Sequence, residues 1–132
     1  MNGDKKAVKK ALISILDDDA SVRESTQFLI RSVGFRAEVF SSAGDFLNSD
    51  QIEETGCLIL DVRMPGMNGL ELQQQLAKEK RPIPIIFITA HADDNEEKRA
   101  RKAGAVEFLR KPVDEEKLLK AIQAALRQKE AK

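Results

Sequence analysis

Short apolar runs alternate along this chain with segments that carry helix signals, and this alternation constrains the fold more than any other feature. Continuous apolar runs of this kind are typical of strands buried on both faces. A weaker run at 37–40 predicts an edge strand. Strands that alternate with helices form a parallel sheet with helices on both sides, so the pattern predicts an α/β fold of five βα units. The four strong runs are ALISIL (11–16), CLIL (57–60), IPIIFI (83–88) and AVEFL (105–109).

Helix signals fill the gaps between these runs. Ser21 and Glu24 have the spacing of a capping box, which predicts that Ser21 is the N-cap of the first helix. A helical stripe of apolar residues follows, and Gly34 ends it. Asp19 precedes this helix and also suits a cap.

A fourth helix is predicted at about 93–103, and its only apolar residues are alanines. It can bury little apolar surface, so its docking should be weak. One interpretation is a solvated helix held by charge pairs such as Asp94–Lys98 and Glu97–Arg101. The other is an element that shifts when a nearby site changes charge.

Polar residues follow each of the four strong runs. They are the pair Asp17–Asp18, then Asp61, Thr89 and Lys111. The carboxyl ends of parallel strands share one edge of the sheet, where ligands bind, so these side chains are predicted to meet there. Carboxylates that lie close together repel one another unless a cation holds them. The set therefore predicts phosphoryl chemistry around a hard metal ion.

Magnesium is the metal that this donor set favours, because it prefers oxygen ligands, few carboxylates and several retained waters. Adjacent side chains at a strand end diverge, so only one of Asp17 and Asp18 should point fully into the site. We expect Asp18 and Asp61 to bind the metal directly and Asp17 to reach it through water.

Asp61 is the candidate nucleophile, because one carboxylate oxygen can bind metal while the other attacks phosphorus to form an acyl phosphate. Lys111 would neutralise charge, and the Thr89 hydroxyl would donate to a phosphoryl oxygen. Taken alone, Thr89 is more often a plain strand-end residue and Lys111 a surface lysine. Their joint placement after strands four and five supports the functional interpretation.

Three further residues lie near the same edge. Pro112 is a candidate for a cis peptide bond that would aim Lys111 inward, although trans is the commoner form. Phe108 is either a core residue or a partly exposed ring. His91 follows Thr89 by two residues and is placed at the rim of the site, where a lone histidine is usually just solvated.

Composition predicts one soluble, globular, cytoplasmic domain. Charged residues make up 33% of the 132 residues, and no apolar run is long enough to span a membrane. The lone Cys57 excludes an internal disulfide, and we expect it to be a small buried hydrophobe. The predicted organisation is a polar leader at 1–10, a domain at 11–127 and a tail or start of a linker at 128–132.

Lysines concentrate in the first ten residues, so the body of the chain is net negative. Nucleic acid binding needs a clustered basic face. The charge pattern therefore argues against direct nucleic acid binding by this domain.

The chain resembles the receiver domain of two-component response regulators over about residues 11–127. The acidic pair is Asp17–Asp18, and the stretch DVRMPGMNG at 61–69 matches the family pattern D-x-x-M-P-x-M-x-G around the phosphoacceptor. Thr89-Ala90 and Lys111-Pro112 match the two remaining motifs. The stretches DVRMPGMNGLEL and TAHAD further resemble regulators of the nitrogen-fixation type, which carry DNA-binding output domains.

The resemblance implies a flavodoxin-like, doubly wound (βα)5 fold with a five-stranded parallel sheet in the order 2-1-3-4-5. It implies that Asp61 takes a phosphoryl group from a sensor histidine kinase or phosphotransfer protein, with magnesium required. The protein would be a signalling phosphoacceptor that promotes its own phosphorylation and dephosphorylation rather than an enzyme.

Individual residues acquire roles from the same resemblance. The implied metal ligands are Asp18, Asp61 and the backbone carbonyl of Arg63. Thr89 and Phe108 are the implied switch pair, and Arg63 and His91 occupy positions at the site rim that tune dephosphorylation. Phosphorylation would alter the face formed by helix four, strand five and helix five.

Two other classes of function compete with this interpretation. Asp17-Asp18-Asp19 could be the D-x-D motif of a haloacid-dehalogenase-type phosphatase, but Ala20-Ser21 stands where that family has Gly-Thr or Gly-Val. Asp61, Met64 and Pro65 would then have no role. A flavin-binding module would need a Gly-rich or Ser/Thr-rich phosphate loop after the first strand, and acidic residues stand there instead.

The output of the domain is left open by the sequence. The chain is either a stand-alone regulator or a receiver from a larger regulator with a DNA-binding domain. A phosphorylation-dependent homodimer through the fourth-helix face is a further hypothesis.

Overall fold

The computed structural model describes residues 11–91 and 93–130, so the predicted leader at 1–10 lies outside the described part. Strands and helices alternate along the chain. The strands are β1 (Leu12–Leu16), β2 (Arg36–Phe40), β3 (Thr55–Asp61), β4 (Ile85–Thr89) and β5 (Glu107–Arg110). The helices are α1 (Ala20–Ser32), α2 (Ala43–Leu47), α3 (Gly69–Lys78), α4 (Asp94–Lys102) and α5 (Glu115–Glu130), with a 3-10 turn at Asp50–Ile52.

All five strands form one parallel sheet in the order β2-β1-β3-β4-β5, which confirms the predicted fold and strand order. In the register, Leu16 pairs with Leu60 and Asp61 pairs with Ile88. The carboxyl ends of β1, β3 and β4 therefore lie side by side. β5 continues this edge, because Thr89 pairs with Arg110.

The sheet separates two hydrophobic clusters, as its alternating side chains dictate. One cluster contains Leu60 and Phe87 of the sheet and is covered by α2, α3 and α4. The other contains Ile15 and Ile59 and is covered by α1 and α5. Every residue of β1, β3 and β4 is buried, in agreement with the continuous apolar runs.

Cys57 is fully buried, as predicted, although β3 begins two residues earlier at Thr55. Burial raises the pKa of the Cys57 thiol, because a thiolate would be poorly solvated there. The thiol is therefore an inert core group.

The start of α1 differs from the capping box predicted at Ser21 and Glu24. The helix begins at Ala20, and Asp19 is its N-cap. The Asp19 carboxylate accepts from the backbone N–H groups of Ser21 and Val22 at 2.8 and 3.4 Å. A charged acceptor two residues upstream satisfies these N–H groups and complements the helix dipole, so the Ser21 prediction is wrong.

Helix α4 is lightly anchored, as its composition indicates. Ala100 is the buried residue of this helix among those described. The predicted Glu97–Arg101 pair is present at 3.0 Å, whereas Asp94 lies 3.7 Å from Arg110 of β5. Asp94–Lys98 is not among the ion pairs of the described residues.

Helix α5 continues to Glu130, three residues past the boundary predicted at 127. Among the described residues, no helix combines the length and apolar character that a membrane crossing requires.

Candidate functional site

Three carboxylates converge at the carboxyl edge of the sheet. Asp17 and Asp18 follow β1, and Asp61 is the last residue of β3. One carboxylate oxygen from each lies within 4.8 Å of the others. Asp17 and Asp61 are buried and Asp18 is exposed, so the cluster opens to solvent on the Asp18 side. The adjacent Asp17 and Asp18 side chains both reach the cluster, although we expected them to diverge.

Lys111 brings a positive charge to the buried side of this cluster. Its Nζ donates to Asp17 Oδ2 at 2.8 Å and to Asp61 Oδ2 at 3.1 Å. The backbone N–H of Lys111 donates to the Thr89 carbonyl at 2.8 Å, which ties this residue to the end of β4. The Lys111–Pro112 peptide bond is cis, the conformation for which Pro112 was the candidate.

Each buried carboxylate is also held by the backbone. Asp17 Oδ1 accepts from the Asp19 N–H at 2.9 Å, and Asp61 Oδ1 accepts from the Arg63 N–H at 3.1 Å. The Asp17 carbonyl accepts from the Arg23 guanidinium at 2.7 Å. The bonds from the Asp19 and Arg63 N–H groups orient the two carboxylates.

Burial sets the acid–base properties of the site. Desolvation raises the pKa of Asp17, and the neighbouring Asp61 charge adds to this, while hydrogen bonds from Lys111 and Asp19 oppose it. Desolvation alone would lower the pKa of Lys111. Its hydrogen bonds to Asp17 and Asp61, together with their charges, outweigh that effect and raise it. Lys111 is therefore a full positive charge at neutral pH.

Thr89 ends β4 beside this cluster. Its side chain is fully buried, and its Oγ1 has no hydrogen-bond partner among the described residues. A buried hydroxyl is nearly always paired, so the Thr89 hydroxyl is available as a donor to a group that enters the site. Phe108 of β5 is buried, which settles the two alternatives in favour of a core ring, and it packs on Phe87 with ring centroids 5.8 Å apart.

The donor set fits a magnesium ion. Three carboxylates converge, one of them is exposed enough for solvent to complete the coordination, and oxygen is the ligand that magnesium prefers. Asp17 Oδ2 is already bonded to the Lys111 ammonium at 2.8 Å.

A protein-family model described as the response regulator receiver domain matches residues 13–123 of the chain. The chain belongs to the response regulator receiver domain family. It is 52% identical over 119 residues to response regulator protein TodT of Pseudomonas putida, an alignment that covers 90% of this chain and 52% of TodT. It is 40% identical over 121 residues to transcriptional regulatory protein FixJ of Bradyrhizobium diazoefficiens, with 92% of this chain and 59% of FixJ covered.

Solved structures agree with this assignment of a receiver. A structure of response regulator StyR is 50% identical with a TM-score of 0.86, covering 93% of this chain and 62% of StyR. The structure of FixJ-N is 36% identical with a TM-score of 0.80, covering 91% of this chain and 96% of FixJ-N. The receiver spans about half the length of the curated relatives it matches.

One glycine of the receiver motif has a steric role that the sequence did not reveal. Gly69 opens α3, and a Cβ atom at this position would lie 2.4 Å from the Asp61 carbonyl oxygen. The backbone N–H of Gly69 donates to the Val62 carbonyl at 3.0 Å. Helix α3 therefore begins directly against the backbone of the candidate phosphoacceptor.

Arg63 and His91, the two residues predicted at the rim, contact each other, which the sequence did not indicate. Arg63 Nε donates to the His91 carbonyl at 2.8 Å, and Arg63 Nη2 donates to Glu96 Oε1 at 2.8 Å. Glu96 has the spacing of a capping box with Asp93, which is the one signal that singles it out in the sequence. Nothing in the sequence pairs it with an arginine 33 residues away.

Proposed function

We propose that this receiver accepts a phosphoryl group on Asp61 from a sensor histidine kinase or phosphotransfer protein in a magnesium-dependent reaction. The observation that carries the proposal is the position of Lys111, whose ammonium donates to Asp61 Oδ2 within a cluster of three carboxylates. The unpartnered Thr89 hydroxyl supports it, because a phosphoryl oxygen would give that buried group an acceptor.

In the proposed step, a carboxylate oxygen of Asp61 attacks the phosphorus of a phosphohistidine. The O–P bond forms as the P–N bond breaks, and the imidazole nitrogen leaves with the electron pair. The product is an acyl phosphate. Attack of water on its phosphorus later returns the free Asp61 carboxylate and inorganic phosphate, so the domain promotes its own dephosphorylation.

The residues around Asp61 orient the group and stabilise its charge. Lys111 would pair with a phosphoryl oxygen, and Thr89 would donate its hydroxyl to another. Asp18, Asp61 and the Arg63 carbonyl would hold magnesium directly, and Asp17 would hold it through water. When bound, the metal supplies neutralisation of the charge on the transferring group.

The response to phosphorylation is proposed to be a change in the face formed by α4, β5 and α5. Thr89 and Phe108 would form the switch, with Thr89 moving toward the phosphoryl group and Phe108 filling the space. The single buried residue of α4, Ala100, supports this proposal because a lightly anchored helix costs little free energy to move.

Transcriptional output is proposed from relatives such as FixJ, of which this chain covers little more than half. A DNA-binding output domain and a phosphorylation-dependent homodimer through the α4 face are the corresponding partners. Sedimentation with and without beryllofluoride tests the dimer, and a mass that stays monomeric in both would exclude it. The predicted cytoplasmic location belongs to the same proposal.

Intact mass is the direct test, because the chain lacks tryptophan and tyrosine for a fluorescence readout. After incubation with acetyl phosphate and magnesium, we expect a gain of about 80 Da, the mass of one phosphoryl group. The gain should require magnesium and should be absent from Asp61→Asn. Release of inorganic phosphate that persists in Asp61→Asn would instead favour the phosphatase alternative.

A further inference from the structure

The two ends of α4 are held by different kinds of contact. At its carboxyl end, Ala100 is fully buried, and its carbonyl accepts from Gln73 Nε2 at 3.1 Å. Gln73 is itself buried on α3. At its amino end, Glu96 pairs with Arg63 at 2.8 Å and Glu97 pairs with Arg110 at 3.0 Å, both at the surface. The carboxyl end therefore has a packed contact besides its Arg101–Glu107 ion pair at 2.8 Å, whereas the contacts described for the amino end are ion pairs.

Arg63 links this amino end to the candidate phosphoacceptor. Its backbone N–H donates to Asp61 Oδ1 at 3.1 Å, while its guanidinium contacts the His91 carbonyl and Glu96, each at 2.8 Å. A single residue thus touches Asp61, the connection after β4 and the first turn of α4. About half of the Arg63 side chain is exposed, so the guanidinium has room to move.

Glu96 is also the residue that closes the start of α4. Its Oε1 accepts from the Asp93 N–H at 3.1 Å, and Asp93 Oδ1 accepts from the Glu96 N–H at 2.8 Å. Helix α3 has the same kind of box between Asn68 and Glu71, with distances of 2.8 and 2.9 Å. Glu71 forms it without an arginine partner among the described residues. The Arg63 contact is therefore an addition to the cap rather than part of it.

We infer that the Arg63–Glu96 pair is a charge-sensitive clip that holds the first turn of α4 in the unphosphorylated protein and opens when Asp61 is phosphorylated. This inference rests on the proposed function and concerns regulation of the same site. A phosphoryl group carries about 1.5 to 2 negative charges, which replace the single negative charge of the Asp61 carboxylate. The phosphoryl group would lie on the Asp61 carboxylate, which the Arg63 backbone N–H already contacts. There it would compete with Glu96 for the Arg63 guanidinium.

Glu96→Gln tests the clip cleanly, because glutamine also closes a capping box but lacks the charge that pairs with Arg63. The readout is amide hydrogen exchange of residues 93–99, with and without saturating beryllofluoride and magnesium. Without beryllofluoride, we expect exchange about two- to fivefold faster than in the wild type, the scale of one exposed ion pair. With beryllofluoride, variant and wild type should exchange equally, because the clip is then already open.

Glu71→Gln is the matched control, since it makes the same chemical change in the α3 capping box. It should leave exchange of residues 93–99 unchanged in both states. Arg63→Gln should reproduce the effect of Glu96→Gln, and the double variant should exchange no faster than either single variant.

Failure of the clip differs from failure of the proposed function. Suppose that the wild type gains phosphoryl mass, but Glu96→Gln changes the exchange of residues 93–99 equally with and without beryllofluoride, or in neither state. The clip is then overturned and phosphorylation stands. A wild type that gains no mass and shows no response of exchange to beryllofluoride overturns the phosphorylation itself, and with it the trigger of the clip.

Discussion

The Lys111 ammonium donates to Asp61 Oδ2 at 3.1 Å, although 50 positions separate the two residues in the chain. The same Nζ lies 2.8 Å from Asp17 Oδ2. Lys111 is thus the counter-charge of two buried carboxylates, and it competes with any cation that binds them. The same charge is proposed to neutralise an incoming phosphoryl group, so its removal should affect the two ligands in opposite directions.

Lys111→Met is expected to bind magnesium about tenfold more tightly, since a competing positive charge is lost and each tenfold step corresponds to about 1.4 kcal/mol. Phosphorylation by acetyl phosphate should become slower by about 10²-fold, the scale of one lost charge-stabilising donor. Calorimetric titration with magnesium and timed intact-mass measurements check the two effects.

Lys120→Met is the control, because Lys120 is an exposed lysine on α5. It should change neither quantity. A Lys111→Met protein with unchanged magnesium affinity would show that the ammonium and the metal do not compete.

Thr89→Val should separate stability from ligand binding. The buried Oγ1 has no partner within the described part of the chain, and an unsatisfied buried polar group costs about 1–3 kcal/mol. Its removal is therefore expected to leave the free energy of unfolding unchanged or to raise it by about 1 kcal/mol. Beryllofluoride should bind about tenfold more weakly, because a hydrogen bond to a charged group contributes about 1.5–3 kcal/mol. Urea unfolding and calorimetry measure the two quantities.

Thr89→Ser gives the complementary control. It keeps the hydroxyl, so beryllofluoride affinity should stay near that of the wild type. It loses one buried methyl group, which should lower the free energy of unfolding by about 0.8 kcal/mol. If valine destabilises the protein by more than serine does, the hydroxyl has a partner that this interpretation omits.

The fold and the central site were predictable because both follow from position relative to strand ends. Parallel topology brings Asp61, Thr89 and Lys111 to one edge, and the runs that precede them are long enough to identify each strand. The start of helix α1 was predicted less reliably from the local residue spacing. The capping box at Ser21 and Glu24 has the correct spacing, but the helix begins earlier, at Ala20, and the Asp19 carboxylate accepts from the N–H groups of Ser21 and Val22.

Contacts between distant surface residues could not be predicted in the same way. The Arg63–Glu96 pair depends on the path of the chain after β4, which no periodic pattern encodes. The close approach of Gly69 to Asp61 depends on the exact angle at which α3 leaves the sheet. Such features follow from three-dimensional packing. In the sequence, each of them is marked by one residue type at most.

Gly69→Ala is expected to destabilise the protein by about 1–3 kcal/mol, because overpacking in a tight site forces the backbone to shift. The added Cβ would lie 2.4 Å from the Asp61 carbonyl oxygen and 3.1 Å from the Phe87 ring. Displacement of Asp61 should also slow phosphorylation by acetyl phosphate. Urea unfolding and intact mass measure both consequences.

Gly44→Ala is the matched control. Gly44 lies within α2, and its added Cβ would have only ordinary contact, 3.9 Å from Ser42 Oγ. Alanine is the better helix former, so this variant should be stabilised by about 0.5–1 kcal/mol. Equal destabilisation of both variants would refute the steric explanation for Gly69.

Asp17→Asn is expected to have a higher free energy of unfolding than the wild type at neutral pH in the absence of magnesium. Burial raises the pKa of Asp17 above its ordinary value of 3.8, so the folded protein holds this proton more tightly than the unfolded chain does. The ionised Asp17 carboxylate therefore lowers the free energy of unfolding at neutral pH. This penalty fades as the pH falls through the raised pKa, and it is gone below the unfolded value. Asparagine carries no charge, so its advantage should shrink over the same interval.

Urea unfolding followed by circular dichroism between pH 7 and pH 4 measures this difference. Saturating magnesium should reverse the order at neutral pH, because the metal stabilises the ionised carboxylates of the wild type and binds the variant more weakly. An advantage of Asp17→Asn that grows as the pH falls would mean that Lys111 holds the pKa of Asp17 below its ordinary value. Pairing with the ammonium, rather than desolvation, would then dominate the electrostatics of the site.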